Sequence, residues 1–322
     1  MQIVFNKADN GSQELEKITG NFYQNNAFDK IEIELNLATE EVIKLIGLPV
    51  YTLAQNYYYT PPSTEVLQIK NLLSHVQMAV AHKAAYNYYQ LSIVSHEDNG
   101  RKLKVDKNNE VVPWEWMLDR DDQANLNKAY RMIDRLLAFL DESPITEWHN
   151  SDFKKQAKKL FVSNTGTFNE FFPIDDSGRF YATVTPFLTQ IQQTTLKNAI
   201  GETKYLDIST KYQSNIISSE ADKTLLRLLQ EAQVLLCMVK AVQRLAVKVL
   251  PDGVVQQYKS MLPSRNASQA VLDSTFKLFV DKIEREANQA LDNLKAFTKD
   301  AVIFNDTDLL PDNATENKIF RT

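Results

Sequence analysis

Four long stretches of the chain carry apolar residues at the spacing of an amphipathic helix. They cover residues 63–91, 121–140, 218–250 and 264–297. In the first, Ile69, Leu73, Val76 and Val80 recur at intervals of three and four, which places them on one helix face. The pattern predicts a mainly α-helical protein with four long helices as its frame.

Shorter helices are predicted between the long ones from their start and stop signals. Thr39 can cap a helix that ends at Gly47, and Ser151 can cap a lysine-rich helix over residues 151–161. Pro186 stands where a helix begins and Gly201 where it ends, which is the usual asymmetry of helix termini. These signals predict short helices before each pair of long ones.

The two ends of the chain have a different pattern. QIVF is a short apolar run, and KIEIELNLA, residues 30–38, alternates apolar and charged positions as a half-buried strand does. Residues 301–322 are mostly polar. We therefore expect a β or extended arm over residues 1–38 and an extended C-terminal tail over residues 301–322.

The stretch LSIVSHEDNGRKLKV, residues 91–105, could be either a reactive site or a turn. His96, Glu97 and Asp98 would be the reactive groups. In the second half of the chain, AVKVLPDGVVQQY follows a long helix in the same way, and it has Asp252-Gly253 but no histidine or paired acids. Asn or Asp before Gly suits a turn with positive φ. The comparison favours a solvated turn within a short β-hairpin.

The two halves of the chain repeat this order of elements. Each has a short helix ending at a glycine, a spacer, a long helix, a turn with short strands, and a second long helix. The Gly- and Pro-containing residues 162–182 separate them. The sequence thus predicts two tandem helical-bundle modules, residues 39–161 and 162–300, with short β-hairpins and extended N- and C-terminal arms.

Composition narrows the function further. The formal net charge is −5 and no basic stripe for sequence-independent DNA binding is present. The single cysteine, Cys237, cannot form a disulfide within the chain. We expect neither a secretory signal nor a membrane span, since no basic and apolar leader and no run of 18 apolar residues occurs.

The sequence contains none of the motifs that bind nucleotides, activate a serine or ligate zinc. His75 and His82 lie two turns apart on one predicted helix, too far for one metal without a third ligand. The acid pairs fall mainly near helix starts, where carboxylates stabilise the positive end. We therefore predict no catalytic residue, no cofactor and no metal.

The aromatic residues suggest an interface instead. Tyrosines crowd residues 51–59 and 86–89, and two tryptophans follow. Tyr and Trp are enriched at protein interfaces, although a Tyr-rich edge of the core or a carbohydrate platform would have the same composition. The residues we assign to the predicted interface are Tyr51, Tyr57, Tyr58, Tyr59, Tyr88, Trp114 and Trp116.

Three segments give the chain a family resemblance. They are LIGLPVYTLAQ, then LLSHVQMAVAHKAAYNYYQLSIVSHEDNG, then NLNKAYRMIDRLLAFL. In the order of their helices and in their local sequence, residues 35–300 resemble the head–tail connector (adaptor)-like proteins of phages and prophages in Bacteroidetes hosts. In tailed-phage adaptors, copies of a small helical bundle form a ring under the portal. This chain is about twice as long as a simple adaptor.

The resemblance implies a structural virion protein, made in the host cytoplasm and located in the neck of the particle. Its expected partners are other copies of itself in a homo-oligomeric ring, the phage portal and tail proteins, and double-stranded DNA passing through the lumen without sequence-specific binding. No membrane is involved. Two alternatives are a monomeric helical binding module that uses the Tyr-rich surface, and a hydrolase built on acids such as Glu97 and Asp98.

Overall fold

The computed structural model describes residues 2–22, 27–92, 95–97, 100–102, 114–245, 247–250, 253–256 and 273–300. This part of the chain is mainly helical, as predicted. The C-terminal tail, residues 301–322, lies outside the described residues, as do Asp98 and the segment 103–113.

Most helices follow one another along the chain with short connections, and the strand pairs lie in the longer connections after α4 (Leu67–Ser92) and after α12 (Glu220–Leu245). The first five are α1 (Gly11–Thr19), α2 (Asp29–Ile46), α3 (Leu48–Tyr59), α4 (Leu67–Ser92) and α5 (Glu115–Glu142). Three short ones follow: α6 (Thr146–His149), α7 (Asp152–Ala157) and α8 (Thr165–Phe171). The last five are α9 (Gly178–Ile191), α10 (Lys197–Ile200), α11 (Glu202–Gln213), α12 (Glu220–Leu245) and α13 (Asp273–Asp300), with a π-helical turn, Gln192–Leu196, between α9 and α10.

Two short pairs of strands lie between long helices. β1 (Ser95–Glu97) pairs antiparallel with β2 (Gly100–Lys102), and Glu97 faces Gly100 across the pair. β3 (Val247–Leu250) and β4 (Gly253–Gln256) are hydrogen-bonded neighbours. His96 and Glu97 belong to β1 and thus precede the turn that was predicted at this point.

The prediction of a β or extended arm over residues 1–38 is wrong for most of its length. Residues 11–19 form α1, and residues 29–38 belong to α2. In the alternating run 30–38, Ile31 and Leu35 are buried, whereas Ile33 is 68% exposed and Leu37 48% exposed. The buried set therefore repeats at i and i+4, which is the period of a helix and not of a strand.

The described residues divide into two compact units. The first comprises residues up to 159 together with 163–185, and the second comprises residues 160–162, 186–255 and 273–300. This division differs from the predicted one at residue 162. Asp134 of α5 accepts hydrogen bonds from the Ser177 hydroxyl (3.1 Å) and the Arg179 N–H (2.9 Å), which fixes the start of α9 in the first unit.

In the first unit α4 lies at the centre and packs against α1, α2, α3 and α5. Its buried residues are small or medium in size, including Val76, Ala79, Ala81 and Ala84. Small side chains allow neighbouring helices to approach closely on more than one side of α4. The two largest fully buried side chains of this unit are Trp148 of α6 and Tyr51 of α3.

In the second unit α12 packs along α13. The buried residues of α13 are Ile283, Ala287, Ala290 and Leu294, spaced by three or four. The Cys237 side chain is buried in α12. Both long helices of this unit therefore contribute one apolar stripe to a shared core.

Burial should make the Cys237 thiol unreactive in the native protein. Burial raises the pKa of this thiol to about 12, so the nucleophilic thiolate is scarce near neutral pH. We expect native protein to react with Ellman's reagent at pH 8 roughly 100-fold more slowly than protein unfolded in urea. Equal rates in the two states would contradict this burial.

Candidate functional site

The residues of the predicted interface do not form one surface. Tyr51, Tyr57, Tyr58 and Tyr59 lie on α3, and Tyr88 lies on α4 with its ring edge-on to Phe22 at 5.7 Å between centroids. Trp114 and Trp116 lie at the start of α5 and are exposed. The structure brings three of the tyrosines together around the N-terminal segment of the same chain.

We call Tyr51, Gln55, Tyr58 and Tyr59 of α3, with Gln77 of α4, the first clasp. Its side chains donate hydrogen bonds to the backbone carbonyls of three consecutive residues. Gln2 accepts from Tyr51 (3.0 Å) and Gln55 (2.9 Å), Ile3 accepts from Tyr59 (2.7 Å), and Val4 accepts from the Gln77 amide (2.8 Å). The first clasp thus binds a short segment through its main chain.

Apolar contacts hold the same segment. The side chains of Ile3, Val4 and Phe5 are all buried, Val4 completely. Burying an aliphatic or aromatic side chain stabilises by about 1.5–3 kcal/mol relative to leaving it in water. The segment Ile3–Phe5 is therefore part of the core of the first unit and does not extend away from it as an arm.

A polar network closes the first clasp. The Tyr58 hydroxyl accepts the Lys7 N–H (2.9 Å) and donates to the Glu14 carboxylate (3.0 Å). The Lys7 ammonium donates to the carbonyls of Tyr58 and Tyr59 at the end of α3, where a cation is favourable. Burial, followed by the charge of Glu14, raises the pKa of Tyr58, so its hydroxyl stays protonated and able to donate.

The second unit contains a matching arrangement. We call Tyr205 and Tyr212 of α11, with Gln230 of α12, the second clasp. The Phe161 ring meets both tyrosines edge-on at 5.9 Å, and its carbonyl accepts from the Gln230 amide at 2.8 Å. Aromatic pairs of this geometry add about 0.5–1.5 kcal/mol beyond their buried area.

The segment in the second clasp is also apolar and buried. Leu160, Phe161 and Val162 are all excluded from solvent. The Phe161 N–H donates to the Gln192 side-chain oxygen (2.9 Å), which also accepts from Gln233 (3.0 Å). Both clasps therefore hold three consecutive apolar residues and hydrogen-bond the carbonyl of the middle one.

Sequence reasoning missed both clasps, but a signal for them exists. Tyr51 and Tyr58 follow Gly47 by four and eleven residues, and Tyr205 and Tyr212 follow Gly201 by the same intervals. Tyrosines seven residues apart share one helix face. Their repetition after two equivalent glycines could have shown that they act as a pair.

Several exposed apolar residues are scattered over the described chain, such as Ile33, Leu67 and Ile216, and others are grouped near the starts of two long helices. At the start of α5, Trp114 is 68% exposed, and Trp116 and Met117 are exposed beside it; near the start of α13, Leu278 is 65% exposed and Phe279 is exposed. We call these two groups the start patches. Each follows, along the chain, one of the two pairs of strands. Contiguous exposed apolar residues typically mark sites of interaction with another macromolecule.

His75 and His82 pack inside the first unit. His75 stacks on Phe139 at 4.7 Å, and burial followed by the charge of Arg135 lowers its pKa. His82 is buried. Within the described residues, no group of three or more His, Cys, Asp or Glu side chains could hold a metal ion.

None of the described helices is long and apolar enough to span a membrane.

Comparison with known proteins relates the chain to a family model. A family model described as a family of unknown function (DUF6712) matches residues 43–158 and residues 196–306. The two matched stretches contain the helical parts of the first and second clasps, respectively. Neither a curated protein nor a solved structure matches the chain.

Proposed function

We propose a role in assembly for this chain, which belongs to the DUF6712 family of unknown function. Its function would be that of a non-enzymatic structural protein, a ring subunit that joins the portal of a phage head to the tail. The proposal is built on three features: a duplicated module, the start patches, and the resemblance of the sequence to adaptor-like proteins.

We infer first that the chain is a tandem duplication of one helical module with a short strand pair. Corresponding helices have equal lengths: α3 and α11 have 12 residues, α4 and α12 have 26, and α5 and α13 have 28. Gly47 and Gly201 join corresponding helices with φ of 86° and 81°, a conformation that favours glycine. The two stretches matched by the family model begin within one residue of corresponding positions, at residues 43 and 196.

The clasps strengthen this inference because they agree in chemistry as well as in helix length. Tyr51, Tyr58 and Gln77 in the first unit correspond to Tyr205, Tyr212 and Gln230 in the second. Gln77 and Gln230 donate to the middle carbonyl of the apolar segment in each unit, while Tyr51 bonds the Gln2 carbonyl and Tyr205 packs on the Phe161 ring. Chance similarity between two helical bundles would not explain why a glutamine amide at the corresponding position of each unit donates to the middle carbonyl of an apolar segment.

The observation that carries the assembly role is the exposure of the start patches in both modules. A tryptophan 68% exposed and a leucine 65% exposed lie near the starts of corresponding helices. A duplicated chain with an apolar patch in each module can contact two neighbours or one partner with repeated sites. Subunits of a closed ring meet this requirement, because each subunit has a neighbour on either side.

The placement at a head–tail junction comes from the resemblance of residues 35–300 to adaptor-like proteins. A net charge of −5 suits a ring whose lumen must let DNA pass without gripping it. The portal and tail proteins would then cover the remaining surfaces, and the protein would be located in the virion. The competing binding-module function would need the Tyr-rich surface, but the first clasp is filled by residues 2–5.

Native mass measurement combined with negative-stain imaging tests the proposal. The protein would be examined over a range of concentrations, alone and mixed with a phage portal protein. Closed rings, alone or on the portal, would support the connector function. A monomer under every condition, including with the portal, would refute it.

Replacing both tryptophans of the first start patch should weaken assembly without unfolding the protein. We expect Trp114→Ser with Trp116→Ser to reduce the assembled fraction at least about tenfold at a fixed concentration, since exposed aromatic residues dominate interface energies. Light scattering measures the assembled fraction, and circular dichroism checks the fold.

The matched control is Ile216→Ser. Ile216 is also strongly exposed but lies between α11 and α12, away from the starts of both α5 and α13 in the sequence. This variant should assemble like the natural protein. If it lost assembly as strongly as the tryptophan variant, general surface hydrophobicity and not the start patch would be responsible.

A further inference from the structure

We propose that two buried polar contacts determine which of two equivalent helices packs into which unit: Gln233 with Gln192 in the second unit, and His82 with Ile18 in the first. The two helices are α4 and its counterpart α12, which we call the central helices. The contacts prevent the central helices from exchanging places, within one chain or between two copies of it. The inference rests on the duplication proposed above, because only equivalent helices can compete for one position.

The central helices are alike enough to compete. Both have 26 residues, and residues of α12 lie 153 positions after their counterparts in α4 (220 − 67). Seven positions are buried between Val76 and Ala85 of α4, and their seven counterparts between Leu229 and Met238 of α12 are buried too. Helices that bury the same face can pack into the same site, and misassembly between equivalent elements is a characteristic error of repeat proteins.

Two of the seven pairs differ in polarity, and they differ in opposite directions. Gln233 of α12 occupies the position of Val80 in α4, whereas His82 of α4 occupies the position of Leu235 in α12. Burying a polar group is unfavourable unless the group is hydrogen-bonded. Each central helix therefore requires a hydrogen-bonding partner that the other does not.

The partner of Gln233 lies in the π-helical turn that follows α9. Gln233 is 0% exposed and Gln192 is 3% exposed. The Gln233 amide donates to the Gln192 side-chain oxygen (3.0 Å) and to the Leu188 carbonyl (3.1 Å). The same Gln192 oxygen accepts the Phe161 N–H (2.9 Å), and the Gln192 amide donates to the Tyr205 hydroxyl (3.3 Å). Gln192 thus links α12 to the second clasp.

The π-helical turn distinguishes this site from α2, the counterpart helix of the first unit. Gln192 is buried 153 residues after the buried Thr39 (192 − 39), whereas Leu196 is buried 154 residues after the buried Val42 (196 − 42). The buried pattern therefore shifts by one residue within the turn, because a turn closed by i→i+5 hydrogen bonds contains one more residue. The second unit differs from the first in both side chain and backbone at the point where Gln233 packs.

An exchange of the central helices would leave both polar residues without these partners. Gln233 would lie beside α2, where Thr39 already donates its proton to the Leu35 carbonyl (2.7 Å). His82 would lose the main chain of Ile18, with which it forms a hydrogen bond in its own unit. A buried polar group left without its hydrogen bond disfavours an arrangement roughly tenfold or more. Both losses act against the same exchange.

Stability alone does not explain Gln233. Its side-chain oxygen has no hydrogen-bond partner among the described residues. The first unit fills the corresponding position with Val80, which is completely buried. Replacing buried polar groups by apolar residues of similar size is often neutral or stabilising. A buried amide that fixes helix pairing at a cost in stability has a precedent in the single asparagine of a coiled-coil core.

Cross-linking detects the exchange. Lys83 of α4 approaches Glu41 of α2, with 3.4 Å between Nζ and Oε2. Leu236 is the counterpart of Lys83 in α12, 153 residues later (236 − 83). Glu41→Cys with Leu236→Cys therefore gives a pair that a short bis-maleimide joins when α12 occupies the place of α4. Cys237→Ala removes the natural thiol and matches Ala84, the residue at the corresponding position of α4.

The variant Gln233→Val with His82→Leu makes the central helices alike at both positions. Each protein is unfolded in urea, refolded by dilution and cross-linked, in a Trp114→Ser, Trp116→Ser background so that ring assembly does not contribute. We expect cross-linked product, within one chain or between two, to increase at least about fivefold over the protein that retains Gln233 and His82. An unchanged yield in the folded variant would overturn the proposal.

Controls separate helix selection from a loss of stability. Val234→Ala destabilises the same part of α12 but retains Gln233, so it should leave the cross-linked yield unchanged. An increase as large as that of Gln233→Val would refute selection. Glu41→Cys with Lys83→Cys should cross-link in the protein that retains both polar residues, which shows that this site reacts. The single variants Gln233→Val and His82→Leu should each give a smaller increase, and they decide the outcome if the double variant does not fold.

The result is independent of the connector function. Unchanged cross-linking would remove the pairing role, and rings formed by the natural protein would still support the connector function. Increased cross-linking of the variant, together with a natural protein that never forms rings, would retain the pairing role and refute the connector function.

Discussion

Phe161→Ala should lower the free energy of unfolding of the second unit by about 3–5 kcal/mol, the cost of removing a fully buried phenylalanine. The ring packs edge-on against Tyr205 and Tyr212, and its removal leaves a cavity between them. Urea unfolding followed by circular dichroism measures the effect. Because the chain has two units, each transition must be fitted separately.

A matched pair of variants makes this prediction specific. Phe279→Ala removes the same side chain from an exposed position in α13 and should change the free energy of unfolding by no more than about 0.5 kcal/mol. Phe5→Ala should cost as much as Phe161→Ala but in the transition of the first unit, since Phe5 is equally buried. Equal stability of the Phe161 and Phe279 variants would show that the second clasp does not stabilise the fold.

The long helices could be predicted because their pattern is local. A stripe such as Ile283, Ala287, Ala290 and Leu294 continues over several helical turns, and each turn supports the same helical period. Ser151 was predicted as a cap, and its hydroxyl accepts the Lys154 N–H in the structure. Other local signals failed, since Pro186, predicted to stand at a helix start, lies inside α9.

The N-terminal region was predicted wrongly because the apolar pattern of residues 30–38 is short and fits both the period of a strand and the period of a helix. Ile31, Ile33, Leu35 and Leu37 alternate, and over eight residues alternation resembles a strand. The longer set Ile31, Leu35, Ala38, Val42 and Ile46, all buried in α2, fits only a helix. Extending the window past Thr39, which was read as a helix cap, would have resolved the ambiguity.

The clasps could not be predicted from local pattern at all. The Tyr51 hydroxyl reaches a carbonyl 49 residues earlier in the chain, and the Gln77 amide reaches one 73 residues earlier. Hydrogen bonds to a main chain impose no side-chain identity on the partner, so the partner sequence carries no signal. Crowding of tyrosines in the sequence therefore suggested an external interface where the structure shows an internal one for Tyr51, Tyr58 and Tyr59.

Acidification from pH 6.5 to about pH 4 should cost the first unit up to about 3 kcal/mol of stability through His82 alone. Burial, followed by the charge of Lys128, lowers the pKa of this histidine to about 4, against about 6.5 in an unfolded chain. Between these values the unfolded state binds the proton and the folded state does not. The full contribution is thus present above pH 6.5 and is lost as the pH falls through the window.

A comparison with His82→Leu isolates this contribution. The leucine variant cannot take up the proton, so its stability should fall less between pH 6.5 and pH 4, by up to the same 3 kcal/mol. Urea unfolding at several pH values measures the difference in free energy of unfolding between the two proteins. Titration of the carboxylates affects both proteins equally and therefore cancels in this difference. Lys128→Met should shrink the histidine effect, because removing the neighbouring cation makes protonation of His82 in the folded state less costly. Parallel pH profiles for the natural protein and His82→Leu would contradict the lowered pKa.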